Sequence, residues 1–165
     1  IMALILHLQP VDFEKMSLPL GAWILFRLLA SFCGVFGFSV MFNSPVRLAA
    51  VAAGIGAVAN TFRLELVDLT ACPPAAAAFM GALAAGLLAS LIKSRVGYPR
   101  ISVTVPSIVI MVPGLYLYRG FYNLGMMSLS ASASWFASAI LIVAALPLGL
   151  IFARILTDKT FRYCT

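Results

Sequence analysis

Residues Ile101–Tyr118 read ISVTVPSIVIMVPGLYLY, an uncharged run held between Arg100 and Arg119. About 20 apolar residues cross the hydrocarbon core of a bilayer, so the run is long enough to span. It is also a poor straight helix. Pro106 and Pro113 each lack an amide proton and crowd the preceding turn, so each is expected to kink or interrupt it. Gly114 follows at once, and Val103, Thr104, Val105, Val109 and Val112 are stiff at Cβ. In lipid, a broken helix is tolerated only where the break is buried in protein or lines a wet cavity. Two readings follow. One is a kinked packing helix, since Pro and Gly are frequent in membrane helices. The other is the kind of break from which secondary transporters build a solute site.

The rest of the chain fits a membrane setting. Of 165 residues, 63% are hydrophobic and 10% charged, with mean hydropathy +1.08. A soluble domain carries roughly 25% charged residues. The fold class is therefore an all-α, polytopic membrane helix bundle. The net charge of +6 is spread singly between apolar runs. That pattern suits lipid headgroups and span orientation, and no nucleic-acid partner is expected. Cys33, Cys72 and Cys164 are far apart and His7 is the one histidine, so neither a metal site nor a cofactor is expected.

About five spans are expected, near residues 18–42, 46–66, 75–92, 101–118 and 135–155. Residues 1–17 form an interfacial segment or junction in this reading, and 157–165 a tail in water. Asn43, Ser44 and Pro45 make a turn after the first span. Arg27 lies inside that span and is expected to snorkel outward, the rival being a place on a polar cavity. Ala49, Ala53 and Ala57 form a stripe, as do Ala78, Ala82, Gly86 and Ser90. Small residues four apart let membrane helices approach closely. The tyrosines and Phe121 around Arg119 read as an aromatic belt, and the serines from Ser128 to Ser134 as a loop.

The second span ends in Asn60, Arg63, Glu65 and Asp68. Asn60 and Arg63 are three apart and share a face; Glu65 and Asp68 share another. They are either an ordinary interfacial end or a polar lining for a small anionic or zwitterionic solute. Five spans put the termini on opposite sides. One side holds Arg47, Lys93, Arg95, Arg100, Arg154, Lys159 and Arg162; the other holds Lys15, Arg63 and Arg119. The basic-rich side is expected to be cytoplasmic, with the N-terminus outside. Two five-span units joined end to end must take opposite orientations, as in inverted-repeat transporters. Half a transporter, or an oligomer, is the corresponding expectation.

Three stretches carry a resemblance: GFSVMFNSPVR (Gly37–Arg47), GIGAVANTFR (Gly54–Arg63) and TVPSIVIMVPGLYLYRG (Thr104–Gly120). Together they resemble the threonine/serine exporter family. More closely, they resemble its smaller C-terminal half, in some bacteria a separate subunit of a succinate exporter. The resemblance implies export of a threonine- or serine-type amino acid, or of a dicarboxylate such as succinate. It implies transport across the inner membrane by proton-driven antiport, with a partner membrane subunit or fused N-terminal half. Some relatives carry histidine where this chain has Asn60, which argues against a proton relay there.

On both grounds the substrate-binding candidates are Asn60, Arg63, Pro106, Pro113, Gly114 and Tyr116. Glu65 and Asp68, the acids nearest a span, are the proton-coupling candidates. A non-transporting assembly or regulatory subunit is the alternative. An intramembrane enzyme is not expected, because no nucleophile and base pair at mid-depth.

Overall fold

A computed structural model describes residues 19–97 and 99–158; for residues 93–96 the backbone alone is described. The expected N-terminal segment 1–17, the tail after Asp158, His7 and Cys164 lie outside the described residues. Among the described residues six helices follow in order: α1 (Leu20–Met41), α2 (Val46–Thr70), α3 (Pro74–Val96), α4 (Arg100–Val109), α5 (Gly114–Gly125) and α6 (Leu129–Thr157). Four of them are long and apolar enough to cross a membrane. The pair α4–α5, bent by 43° at its break, makes a fifth crossing when taken as one span. The fold is thus an all-helical membrane bundle with one broken span, as the sequence implied.

Prolines set the helix starts. Pro19, Pro45, Pro73, Pro99 and Pro113 occupy the capping position of α1 through α5. A residue at a helix start has no intrahelical partner for its N–H, so a residue without one loses nothing there. Asn43, at φ 57°, takes the left-handed position that closes α1, and Ser44 N–H reaches back to the Ser39 carbonyl at 3.1 Å.

Small residues set the packing. In α3 and α6, Ser90 meets Thr157 at 3.0 Å. A Cβ placed on Gly86 would come within 2.5 Å of the Ala153 Cβ, and one on Gly149 within 2.8 Å of the Ala82 Cβ. The numbers rise together, so the two helices run parallel. The expected stripe Ala78–Ala82–Gly86–Ser90 therefore faces a second one, Ala145–Gly149–Ala153–Thr157, which the sequence reading did not single out. In α1 and α2 the numbers run in opposite senses. Arg27 meets Glu65, Ser31 meets Asn60, and Val35 packs against Gly56. These two helices form an antiparallel hairpin. The core cluster is mostly alanine, with Met111, Ile142 and Val35 as its largest fully buried side chains.

Two expectations are corrected here. Pro106 does not break the fourth span; it lies buried inside α4. A single proline removes one backbone bond, and the Ser107 hydroxyl beside it bridges to the Val103 carbonyl at 2.6 Å and the Ala52 carbonyl of α2 at 3.0 Å. That contact ties the turn to its neighbour. The serine segment is not a loop either. Leu129 already opens α6, and Ser134 and Ser138 reach Ala131 and Ser134 carbonyls within the helix. A serine hydroxyl satisfied by its own helix carries no turn signal.

Candidate functional site

The break follows from Pro113 and Gly114 together. The last bonds of α4 tighten to Met111 N–H on the Ile108 carbonyl (2.9 Å) and Val112 N–H on the Val109 carbonyl (3.1 Å). Pro113, at φ −80° and ψ 55°, then centres a γ-turn in which Gly114 N–H meets the Val112 carbonyl at 2.8 Å. Leu117 N–H on the Pro113 carbonyl starts α5. α4 begins at Arg100 and rises about 15 Å before the break, roughly half the ~30 Å hydrocarbon core. With Arg100 taken at the edge of that core and α4–α5 taken as one span, the break falls near its middle.

The peptide groups at the break do not face lipid alone. Met111 is fully buried, and its carbonyl receives Arg63 Nη1 of α2 at 3.4 Å. That is long for a charge-assisted bond, whose usual range is ~2.7–2.9 Å. Arg63 Nε is buried with no hydrogen-bond partner among the described residues. The stem of Arg63 is pressed against α3: a Cβ on Gly81 would lie 3.0 Å from the Arg63 Cβ and 3.3 Å from the Met111 sulfur. Three helices therefore fix this guanidinium beside the break.

One turn earlier, Asn60 Nδ2 donates to Ser31 Oγ of α1 at 2.8 Å. Its Oδ1 is buried and unpartnered among the described residues, as are Thr61 Oγ1 and Ser39 Oγ. Buried polar atoms are normally paired. Four orphans in one hairpin mark a polar seam in an otherwise alanine-rich interior. Asn60 and Arg63 do not reach one common partner; Asn60 reaches α1 and Arg63 reaches the break.

Arg27 corrects the snorkelling expectation. Its Nη1 pairs with Glu65 Oε1 at 2.8 Å and its Nη2 with Asp68, while the guanidinium lies 4.9 Å over the Trp23 ring. The side chain is 14% exposed. Glu65 and Asp68, one turn apart on α2, offer two anions within its reach. The proton-coupling candidates are therefore both held by one arginine.

The other candidates are spread along the span. Pro113 is buried at the break, while Gly114 next to it is exposed. Tyr116 is half-buried, with its ring 5.6 Å from that of Trp135 on α6. Arg119 lies 4.9 Å over the same Trp135 ring. Pro106 lines a separate cavity of about 470 Å³ beside the Asn43–Pro45 turn. The sequence reading missed Ser31 and Ser39, whose spacing by four from Arg27 and Val35 was the available signal. It also missed Gly56, where a Cβ would lie 2.7 Å from the Ser107 carbonyl, holding α2 against α4.

A family model described as Threonine/Serine exporter, ThrE, matches residues 27–156. No curated protein and no solved structure matches the chain. The matched range takes in α2 to α5 whole, α1 from Arg27 onward and α6 to its last turn. The apolar helices and the family together indicate a multi-pass membrane protein of the transport class, handling a small-molecule substrate. The chain belongs to the threonine/serine exporter family.

Proposed function

We propose that this chain is one half, or one subunit, of a proton-coupled secondary exporter for a small polar metabolite. The observation that carries this reading is the arginine beside the break. Arg63 sits at the Met111 carbonyl of the break with a buried Nε that has no partner among the described residues. A guanidinium offers a planar fork to a carboxylate. Asn60 Oδ1 and the Met111 carbonyl are acceptors suited to an ammonium or hydroxyl on the same solute. That pairing favours an amino acid of the threonine or serine type; a dicarboxylate asks for a second cation. Pro113 and Gly114 hold the break open, and Tyr116 lies on the outward path from it. Pro106 stands on the route from the other face.

Proton coupling is assigned to Glu65 and Asp68. Protonating either weakens its hold on Arg27, which loosens the α1–α2 hairpin at that end. The chain sits in the inner membrane with its N-terminus outside and works as an antiporter with a similar-sized partner half, fused or separate. A homo-oligomer is the other way to complete the pathway. The alternative, a non-transporting assembly or regulatory subunit, draws on the Arg27 clamp, which engages both acids within one chain.

The test is export of labelled threonine, serine and succinate from loaded cells lacking this chain, complemented with the wild type or with Arg63→Gln, Arg63→Lys or Asn60→Ala. The expected result is restored amino-acid export by the wild type. Arg63→Gln is expected to cut it at least ten-fold at unchanged membrane abundance, with partial recovery in Arg63→Lys. Normal export by Arg63→Gln at equal abundance overturns the site and favours the assembly reading.

A further inference from the structure

Far from the Arg27 clamp, α4 and α6 leave a cavity of about 570 Å³ between them. Its walls are Ile101 and Val105 of α4 and Leu150 and Ile151 of α6, and Arg100, Arg154 and Asp158 stand at its mouth. Ile101 is 67% exposed and Ile151 44%. The site is built rather than incidental at its cationic end. Arg100 Nη2 donates to the Gly86 carbonyl at 2.8 Å and Nη1 to Thr157 Oγ1 at 2.9 Å. A guanidinium has five N–H donors, so these two fix it and leave others directed elsewhere. Arg154 Nε lies 4.0 Å from Asp158 Oδ2. Among the described residues, two arginines and one aspartate leave one positive charge in excess at the mouth.

Depth gives the cavity its meaning. α6 has 29 residues, or about 43 Å of helix, against a hydrocarbon core of ~30 Å. Its last turn, with Arg154, therefore reaches the headgroup layer, and Leu150 and Ile151 lie one turn deeper. Mostly apolar walls, whose one hydroxyl (Thr104) is already bonded to its own helix, under a cationic mouth match an amphiphile with an anionic head. They do not match a small hydrophilic solute, which would meet unsatisfied apolar walls. Basic pockets between membrane helices are a recurrent mode of anionic-lipid recognition.

We propose that this cleft is a binding site for an anionic phospholipid, with its phosphate on Arg154 and Arg100 and an acyl chain along Ile101, Val105, Leu150 and Ile151. Occupancy by the lipid fills the side of α4 that faces α6, the side on which Ile101 stays exposed. The proposal does not rest on the transport reading.

The experiment uses the full chain in neutral detergent, titrated with phosphatidylglycerol, phosphatidylcholine or water-soluble glycerophosphate. Binding is read by native mass spectrometry and by the shift in thermal midpoint. Retained phosphatidylglycerol with a raised midpoint is expected, with neither effect from phosphatidylcholine or glycerophosphate. Arg154→Gln should weaken phosphatidylglycerol roughly five-fold, the scale of one basic residue at a membrane surface. Ile151→Trp keeps both charges but fills the cleft, and should weaken it at least as much. Arg47→Gln removes an exposed charge on the same side of the membrane and should have little effect. Equal binding of phosphatidylcholine, competition by glycerophosphate, or equal losses in Arg47→Gln and Arg154→Gln overturn the proposal. So does displacement of the lipid by a co-expressed partner half, which would assign this face to the partner.

Discussion

Arg27 and Arg63 show how the meaning of a charge inside an apolar helix depends on what it meets. Each interrupts a hydrophobic run, and each is costly in lipid without a partner. Arg27 finds two carboxylates of the neighbouring helix. Arg63 finds a long contact to a main-chain carbonyl and keeps a buried donor unused. The first arrangement is self-contained; the second leaves Arg63 Nε without a hydrogen-bond partner among the described residues. A stability prediction follows for the clamp. Arg27→Gln leaves two acids sharing one site, and is expected to destabilise by about 2 kcal/mol, below the ~3–5 typical of fully buried pairs because both acids keep some solvent. The double variant Arg27→Gln/Glu65→Gln should recover part of that loss. Thermal melts of the four proteins in one detergent check this, and additive losses would refute the coupling. Asn60→Ala strands the Ser31 hydroxyl but also removes an unpartnered Oδ1, so its cost should stay near the ~0.6 kcal/mol average for membrane hydrogen bonds. A loss above ~2 kcal/mol in the same melts would contradict this.

At the scale of elements, glycines and prolines divide the work. A Cβ on Gly149 would meet the Phe79 carbonyl at 2.5 Å, a main-chain atom that cannot swing aside. Gly149→Ala must push α6 from α3 and should cost ~1–3 kcal/mol. A Cβ on Gly54 meets nothing within 4 Å, so Gly54→Ala should be neutral or slightly stabilising. Thermal midpoints of the two variants should differ in that order; a stable Gly149→Ala would mean that the α3–α6 contact is looser than described. The prolines are distinguished by function. Pro113→Ala permits a more continuous helix and removes the γ-turn, whereas Pro106→Ala changes a helix that already continues through the residue. Export assays should show the larger loss for Pro113→Ala at equal abundance, and the reverse order would move the functional break to Pro106.

On the whole-molecule scale, the question is which ends lie together. If α4 and α5 make one bent crossing, the segment 97–99 and the turn 126–128 lie on opposite faces of the membrane. Single cysteines at Gly97 and Met127, in a chain with Cys33, Cys72 and Cys164 changed to serine, should label with an impermeant maleimide from opposite sides. Asn43→Cys should label from the same side as Gly97→Cys, the inside under the proposed orientation. Labelling of positions 97 and 127 from one face would make the pair a re-entrant loop and leave four crossings.

The membrane class, the small-residue stripe on α3 and the presence of a broken span were legible along the chain; the start of α6 at Leu129 was not, because its serines read as a loop. Each legible feature is a local property: hydropathy over some twenty residues, a missing N–H, or a spacing of four. What the sequence left open was every question about partners. It offered two prolines as the break, and packing of Ser107 on Ala52 leaves only one acting as such. It placed Arg27 at a headgroup, and an antiparallel hairpin supplied two carboxylates instead. It gave Asn60 and Arg63 one face, and three neighbouring helices drew them to different partners. A side chain's surroundings are made by residues distant in sequence, so only the folded bundle could decide which arginine meets carboxylates and which meets a main-chain carbonyl.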